Sequence, residues 1–307
     1  MRVTRGRAGF TLVEMMIGII LAGVVGMALT RMVLTTQRVS RAQTQQTEMQ
    51  ASMRTGALLL PAELREIGYD HTEDGTEVPD ILDARADRIT IRVMRGWAIM
   101  CGNYAEEAIL VRLPVIGYRN PTTADSLLLF TENEADRGND DQWTPFRTSE
   151  IRVETCPEDG RPALELQQLT PNAAFRDDAS NSGNGMPIGT RIRNGSPVRF
   201  FEVMEYALYQ SGGRWWLGAQ SLTGGEPAPQ PVLGPLRAND GFALRYLDRD
   251  NQVINAGDVA RYKDIRVVEI TLRGETTSPV SRTDRGALAI KVDSLVTRVA
   301  LRNALRP

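Results

Sequence analysis

The hydropathy of the chain falls into three regimes. From Phe10 to Leu29 the residues are apolar almost without interruption, Thr11 and Glu14 excepted. A helix of that length, rising about 1.5 Å per residue, spans roughly 30 Å, the hydrocarbon core of a bilayer. Beyond Leu29 the larger apolar residues Met32, Val39, Met49, Met53 and Leu60 fall near one weak helical stripe through Thr36, Ala42 and Gln46. Arg, Gln and Thr fill the other faces, which predicts a half-exposed stem helix. Pro61 either kinks that helix or opens a new turn in PAELREIGY, and Gly68 is its expected end. From Asp80 onward the period changes to two.

In that third regime ADRITIRVMR sets Ile89, Ile91 and Val93 against Arg88, Thr90 and Arg92, the signature of a half-buried strand. Further strands are expected in EAILVRL, DSLLLFTE, EIRVET, ALELQQL, VRFFEVMEYALYQ, RWWLGA, GFALRYLD, IRVVEITLR and ALAIKVDSLVTRVALRN. Ser211-Gly212-Gly213 stands where a hairpin turn belongs. Polar, Gly-rich tracts predict long loops near 132–146 and 175–197. Few helical patterns interrupt, so the fold class expected is α+β: a long N-terminal helix packed on a mainly antiparallel β head. The head is large enough to divide into two lobes, but no repeat or independent second domain is evident.

Glu14 is the anomaly of the apolar segment. A secretory signal has a shorter apolar run, no acid inside it and a small-residue cleavage site after it, whereas no A-x-A site follows Leu29. A plain signal anchor fits the length but gains nothing from a charge that costs about 2.5–3.5 kcal/mol at the bilayer centre. The third reading uses the whole conjunction of basic leader MRVTRGRA, Gly9, Phe10, Glu14 and apolar run. Gly9-Phe10-Thr11-Leu12-Val13-Glu14 resembles the class III signal of type IV prepilins and type II secretion pseudopilins. That resemblance implies cleavage by a prepilin peptidase between Gly9 and Phe10, N-methylation of Phe10, and a role for Glu14 in assembly through the amino terminus of a neighbouring subunit.

Elementary chemistry agrees with those assignments. Gly9 lets a protease approach the backbone closely. Cleavage frees an α-amino group with a reference pKa of about 7.7–8, a counter-ion for a carboxylate in low dielectric. Pairing of Glu14 with the Phe10 amine of its own chain, four residues back, is the alternative. The implied organisation is a leader at 1–9, a transmembrane and assembly helix at 10–30, a stem at 31–68 and a head at 69–307.

Charge narrows the function of the head. The chain has 36 basic and 38 acidic residues; loss of Arg2, Arg5 and Arg7 with the leader leaves 33 basic residues and a formal charge of −5. No nucleic acid partner is expected on that balance. Arginines flank the apolar segment on both sides, at Arg31, Arg38 and Arg41 as well as in the leader, so orientation rests on the motif and not on charge bias. The order VRFFEVMEYALYQSGGRWWLGAQSL, DGFALRYLDRDNQVI, DIRVVEITLRGET and LVTRVALRN is similar to the C-terminal half of minor pilins of the W type, related to the J-type pseudopilin. LLLPAELREIGYD resembles their stem-to-head junction, with Pro61 as a departure.

Catalytic chemistry is sparse. His71 is the sole histidine, which leaves no material for a multi-histidine metal site or an obvious triad. The Gly183, Gly185, Gly189 cluster lacks the lysine of a phosphate loop. Asp248, Asp250 and Asn251, and the tract Asp136, Asp140 and Asp141, are weak calcium candidates beside simple turns. Trp97, Trp143, Trp215 and Trp216 read as core or sheet-face packing in preference to a ligand platform. Cys101 and Cys156, the only cysteines, form either a disulfide in an oxidising compartment or two buried thiols.

The reading is a non-enzymatic minor pilin without cofactors. It resides in the inner membrane with its head outside the cytoplasm until it enters a filament. Its expected partners are prepilin peptidase, other major and minor pilins, the inner-membrane assembly platform and, before assembly, the lipid bilayer. A type II secretion minor pseudopilin, a tip adhesin or DNA-uptake module, and a membrane-tethered enzyme are the alternatives.

Overall fold

A computed structural model describes residues 11–67, 80–102, 108–131, 142–171, 192–281 and 288–301. Its first element, α1, runs from Leu12 to Arg65. The chain divides into two units, one containing the helix up to Gln50 with Thr276–Lys291, the other containing Ala51–Glu275 and the chain from Val292.

In the first unit α1 carries the apolar segment, whose mean hydropathy reaches 2.3 over 18 residues and which is long and apolar enough to cross a membrane. Gln45 of the same unit bonds Ser278 through side chains at 2.8 Å.

In the second unit α1 continues through Pro61. Interior proline costs a helix about 3 kcal/mol. Here Leu60, Leu64 and Ile67 are at most 3% exposed. Burial of about 1.5–3 kcal/mol per side chain offsets that cost. The helix closes with tighter bonds, the Glu66 amide to the Glu63 carbonyl and the Ile67 amide to the Leu64 carbonyl. Gly68, the expected stop, lies outside the described residues.

The head opens with β1 (Ile81–Ala84), β2 (Arg88–Ile99), β3 (Ile109–Arg112), β4 (Ile116–Gly117) and β5 (Ser126–Thr131). β6 (Gln142–Arg147), β7 (Glu150–Thr155), β8 (Pro162–Gln167) and β9 (Thr170–Pro171) follow. Then come β10 (Pro197–Ser211), β11 (Arg214–Ser221), β12 (Gln230–Leu236), β13 (Phe242–Leu247) and β14 (Val253–Ile254). A 3₁₀ turn at Val259–Asp264 leads to β15 (Val267–Glu275). β16 (Val280–Ser281) and β17 (Leu288–Ala289) belong to the first unit, and β18 (Val292–Ala300) returns to the second.

Every pairing among the described residues is antiparallel. The main sheet has the path β14-β13-β15-β12-β11-β10-β5-β6-β9, with β2 on β10, β1 and β4 on β2, and β18 on β15. β3, β8 and β7 form a separate sheet. β10 is the spine. One of its edges pairs with β2 from Pro197 to Ala207; the other serves β5 at Val198–Phe201 and β11 at Met204–Ser211. It therefore joins two cores. Around α1 gather Leu60, Leu64, Tyr206, Tyr246 and Val268; around the small sheet gather Val111, Leu127, Phe146 and Leu166.

Several expectations change at this level. Alternation suggested one buried face for β2, yet Thr90 and Arg92 are buried as well as Ile89 and Ile91. β2 lies between two strand neighbours with apolar clusters on both faces, and Arg92 meets Asp80 at 3.1 Å and the Phe201 ring at 4.7 Å. The loop expected near 132–146 gives way to β6 from Gln142, where Trp143 and Thr144 pair with Phe130 and Leu129. β10 takes up the end of the loop expected at 175–197. Of the four tryptophans, expected in the core or on a sheet face, none is fully buried, and Trp143 packs partly buried against the Leu128, Phe201 and Val203 cluster. The β10–β11 turn is a two-residue loop with φ of 58° at Gly212 and 73° at Gly213, the left-handed pair a type I′ hairpin requires.

Candidate functional site

The amino-terminal end of α1 is organised by two residues three apart. The Thr11 amide donates to Glu14 Oε2 at 2.9 Å, and the Thr11 hydroxyl reaches the same oxygen at 3.1 Å. In return the Glu14 amide donates to Thr11 Oγ1 at 3.2 Å. This is a capping box, in which Ser/Thr and a glutamate three residues later satisfy one another's orphan amides. The sequence carries the signal for it as T-x-x-E, beside the charge that makes Glu14 anomalous in the apolar run. A negative side chain in the first helical turn also complements the helix dipole.

From this tip the helix presents apolar side chains all round. Leu12 is 77% exposed and Ile19 69%, and the most apolar window is entirely unburied within the chain. An exposed apolar surface on this scale marks a lipid or protein contact. The site is thus an apolar shaft with a carboxylate at its tip, made to lie in a bilayer or against other apolar helices. Gly9 and Phe10 lie outside the described residues.

At the other end of α1, within the second unit, a chain of ion pairs ties the helix to the sheet. Arg95 on β2 meets Glu63 at 3.3 Å and Glu202 on β10 at 2.5 Å. Arg119 joins Glu202 at 3.0 Å to Asp125 at 2.5 Å, where Asp125 also accepts the Thr122 amide. Burial pushes the Glu63 carboxyl above its ordinary value against the pull of Arg95. No sequence spacing announces this arrangement, because the partners are brought together by strand register.

The remaining candidates resolve into structure. Cys101 and Cys156 are bonded, with Cα atoms 5.5 Å apart and both residues buried. The Cys101 amide bonds the Leu110 carbonyl and the Cys156 amide the Arg161 carbonyl, so each half-cystine is held by a backbone bond just beyond the end of its strand, β2 or β7. Asp248 Oδ1 accepts the Asp250 and Gln252 amides, and Oδ2 accepts from Arg261 at 3.1 Å. That carboxylate therefore organises the β13–β14 turn, and Asp250 contributes its amide there and no side-chain ligand pair. Asp140 and His71 lie outside the described residues. Among the described residues no three His, Cys, Asp or Glu side chains gather as a metal site.

Long apolar helix and antiparallel head together make an α+β, pilin-like arrangement. Residues 4–30 match a family model described as the prokaryotic N-terminal methylation motif. The matched segment contains Gly9, Phe10 and Glu14, and the chain carries a type IV prepilin-like class III signal. The motif implies processing by prepilin peptidase and assembly with other pilins, the role of a structural subunit. No curated protein and no solved structure matches the chain.

Proposed function

We propose that this chain is a minor pilin of the W type, a subunit that primes or caps a type IV pilus. Prepilin peptidase cuts between Gly9 and Phe10 and methylates Phe10; the helix at 10–30 holds the protein in the inner membrane, head outside the cytoplasm, until the assembly platform extracts it. The observation that carries this reading is the continuity of α1, which runs unbroken from the methylation motif to the core of the head. The order of the β10–β11 hairpin, β13, β15 and β18 supports the W-type assignment. The same geometry serves a type II secretion minor pseudopilin, and neighbouring genes for other short prepilins distinguish the two systems.

Glu14 acts in assembly by exchange. Its capping bonds to Thr11 are exposed, so its carboxylate is available to the methylated amine of a neighbouring Phe10 as the subunit leaves the bilayer. Glu14→Leu leaves insertion and cleavage intact, because it makes the segment more apolar, and abolishes co-purification with other pilins. Thr11→Val separates this role from capping. If Glu14 served only as a cap, both variants would lose filaments equally; an assembly role leaves the Thr11 variant piliated. Normal piliation with Glu14→Leu refutes the assignment where a deletion of this subunit loses pili.

A further inference from the structure

We propose that a pocket on the head, between β2, β4 and β10, is a binding site for a neutral saccharide. The pocket has a volume of about 490 Å³ and is rimmed by Trp97, Tyr118 and Trp143. That volume falls in the range of ordinary small-ligand sites, about 300–1,000 Å³. Trp97 is 42% exposed and Tyr118 78%, so neither ring is there to fill the core.

The sheet fixes this arrangement through register. Trp97 stands opposite Arg199 on β10, and the Tyr118 amide donates to the Arg95 carbonyl at 2.9 Å. Gly96 pairs with Gly117, and the two backbones approach so closely that a Cβ on Gly117 would stand 2.4 Å from the Arg95 carbonyl, which holds β4 and the Tyr118 that follows it tight against β2. Trp143 is held from two sides. The Arg199 guanidinium lies 3.9 Å from its ring centroid, and Phe130 meets it edge-on at 5.3 Å. Trp97 on β2 and Trp143 on β6 are set on strands, and aromatic walls placed in this way are preorganised and lose little entropy on binding; Tyr118 follows directly on β4.

The lining selects the ligand class. Ring faces carry negative charge density and favour weakly positive C–H groups laid flat against them. Glu66, Arg95 and Arg199 add planar donors and acceptors of both signs, and Arg95 is already balanced by Glu63 and Glu202. Mixed charge, on a chain that is net negative, disfavours a polyanion such as single-stranded nucleic acid. A purely apolar side chain from a protein partner uses the rings but leaves the polar lining unserved. A ring with an apolar C–H face and a rim of hydroxyls satisfies both.

The test uses the full chain in detergent with maltotriose, cellotriose, chitotriose and mannotriose as probes, read by tryptophan fluorescence and saturation-transfer NMR. At least one sugar gives a saturable response by both methods. Trp97→Ala and Tyr118→Ala each weaken it by roughly tenfold, with unchanged melting curves, whereas Tyr118→Phe retains it. No saturable response to any of the four sugars overturns the proposal, as does a response that survives in the Trp97→Ala/Tyr118→Ala double variant. The outcome is independent of the assembly role, since Glu14 variants bind the sugar as the unmodified chain does.

Discussion

Gly56 is the point where the packing of α1 on its sheet is least forgiving, and replacing it by alanine sets two effects of opposite sign against each other. Alanine in place of glycine favours an exposed helix interior by about 1 kcal/mol. At this position the new Cβ would stand 2.0 Å from Leu233 Cδ2 and 3.2 Å from Leu272 Cδ1. Ordinary carbon contacts lie at about 3.5–4.0 Å, so the Leu233 methyl must move by roughly 1.5 Å. Leu233 and Leu272 are both at most 3% exposed, so the displaced methyl has to move within the core and not into solvent. Nor can the backbone simply retreat. One turn earlier the Ser52 hydroxyl donates to the Gly234 carbonyl and accepts its amide, both at 3.1 Å, pinning β12 against the helix. Overpacking of this kind costs about 1–3 kcal/mol, so the clash outweighs the propensity gain and Gly56→Ala destabilises by about 1–2 kcal/mol net. Chemical unfolding of the detergent-solubilised chain, followed by near-UV circular dichroism, reads that loss. In a Leu233→Ala background the 2.0 Å contact is gone and only Leu272 Cδ1 at 3.2 Å remains, so Gly56→Ala should then cost less than it does with Leu233 intact. An increase in stability with Leu233 intact would refute the argument.

The remaining predictions concern the signal, the disulfide and one carboxylate. Gly9→Trp blocks cleavage and leaves the precursor in the membrane; mass spectrometry of the wild-type chain finds Phe10 as the mature terminus, and any other terminus removes the class III assignment. Loss of the Cys101–Cys156 link, which spans 55 residues, costs about 4 kcal/mol in the loop-entropy account, an upper figure. Cys101→Ala/Cys156→Ala therefore melts well below the parent chain, and an unchanged melting curve after full reduction counts against the link. On β15, the hydrogen bond from Arg298, with Arg245 beside it, holds the Glu269 carboxyl below its ordinary value despite burial. A depressed carboxyl contributes stability above its unfolded pKa and loses it as pH falls through the folded value. Glu269→Gln is accordingly less stable than the parent at neutral pH, and the gap closes in acid below the folded pKa. A gap of constant size across that range would show that the two arginines do not set it.

What the sequence determined by itself is whatever is encoded within a few neighbouring residues. Gly9, Phe10, Glu14 and the apolar run lie in one short segment, so spacing alone exposed the processing signal. The Thr11–Glu14 cap is just as local, a T-x-x-E pattern that went unread beside the charge of Glu14. Gly212-Gly213 announced its hairpin because two consecutive left-handed residues are costly for anything with a side chain. Alternation located most long strands, since side chains on a strand take opposite faces in turn. Tertiary structure decided what depends on partners far along the chain. β12, written QPVLGPL, is not among the expected strands, and its prolines cannot donate to a ladder. It enters the sheet where its pairing with β11 is irregular and its ladder with β15 is confined to Leu236 and Gly274, so the missing donors cost little. The two buried faces of β2, the passage of α1 through Pro61, and the Glu63–Arg95–Glu202–Arg119–Asp125 chain have the same origin. Each requires residues separated by tens to more than a hundred positions to meet, and only the register of β2 on β10 and the packing of the helix on the sheet bring them within reach.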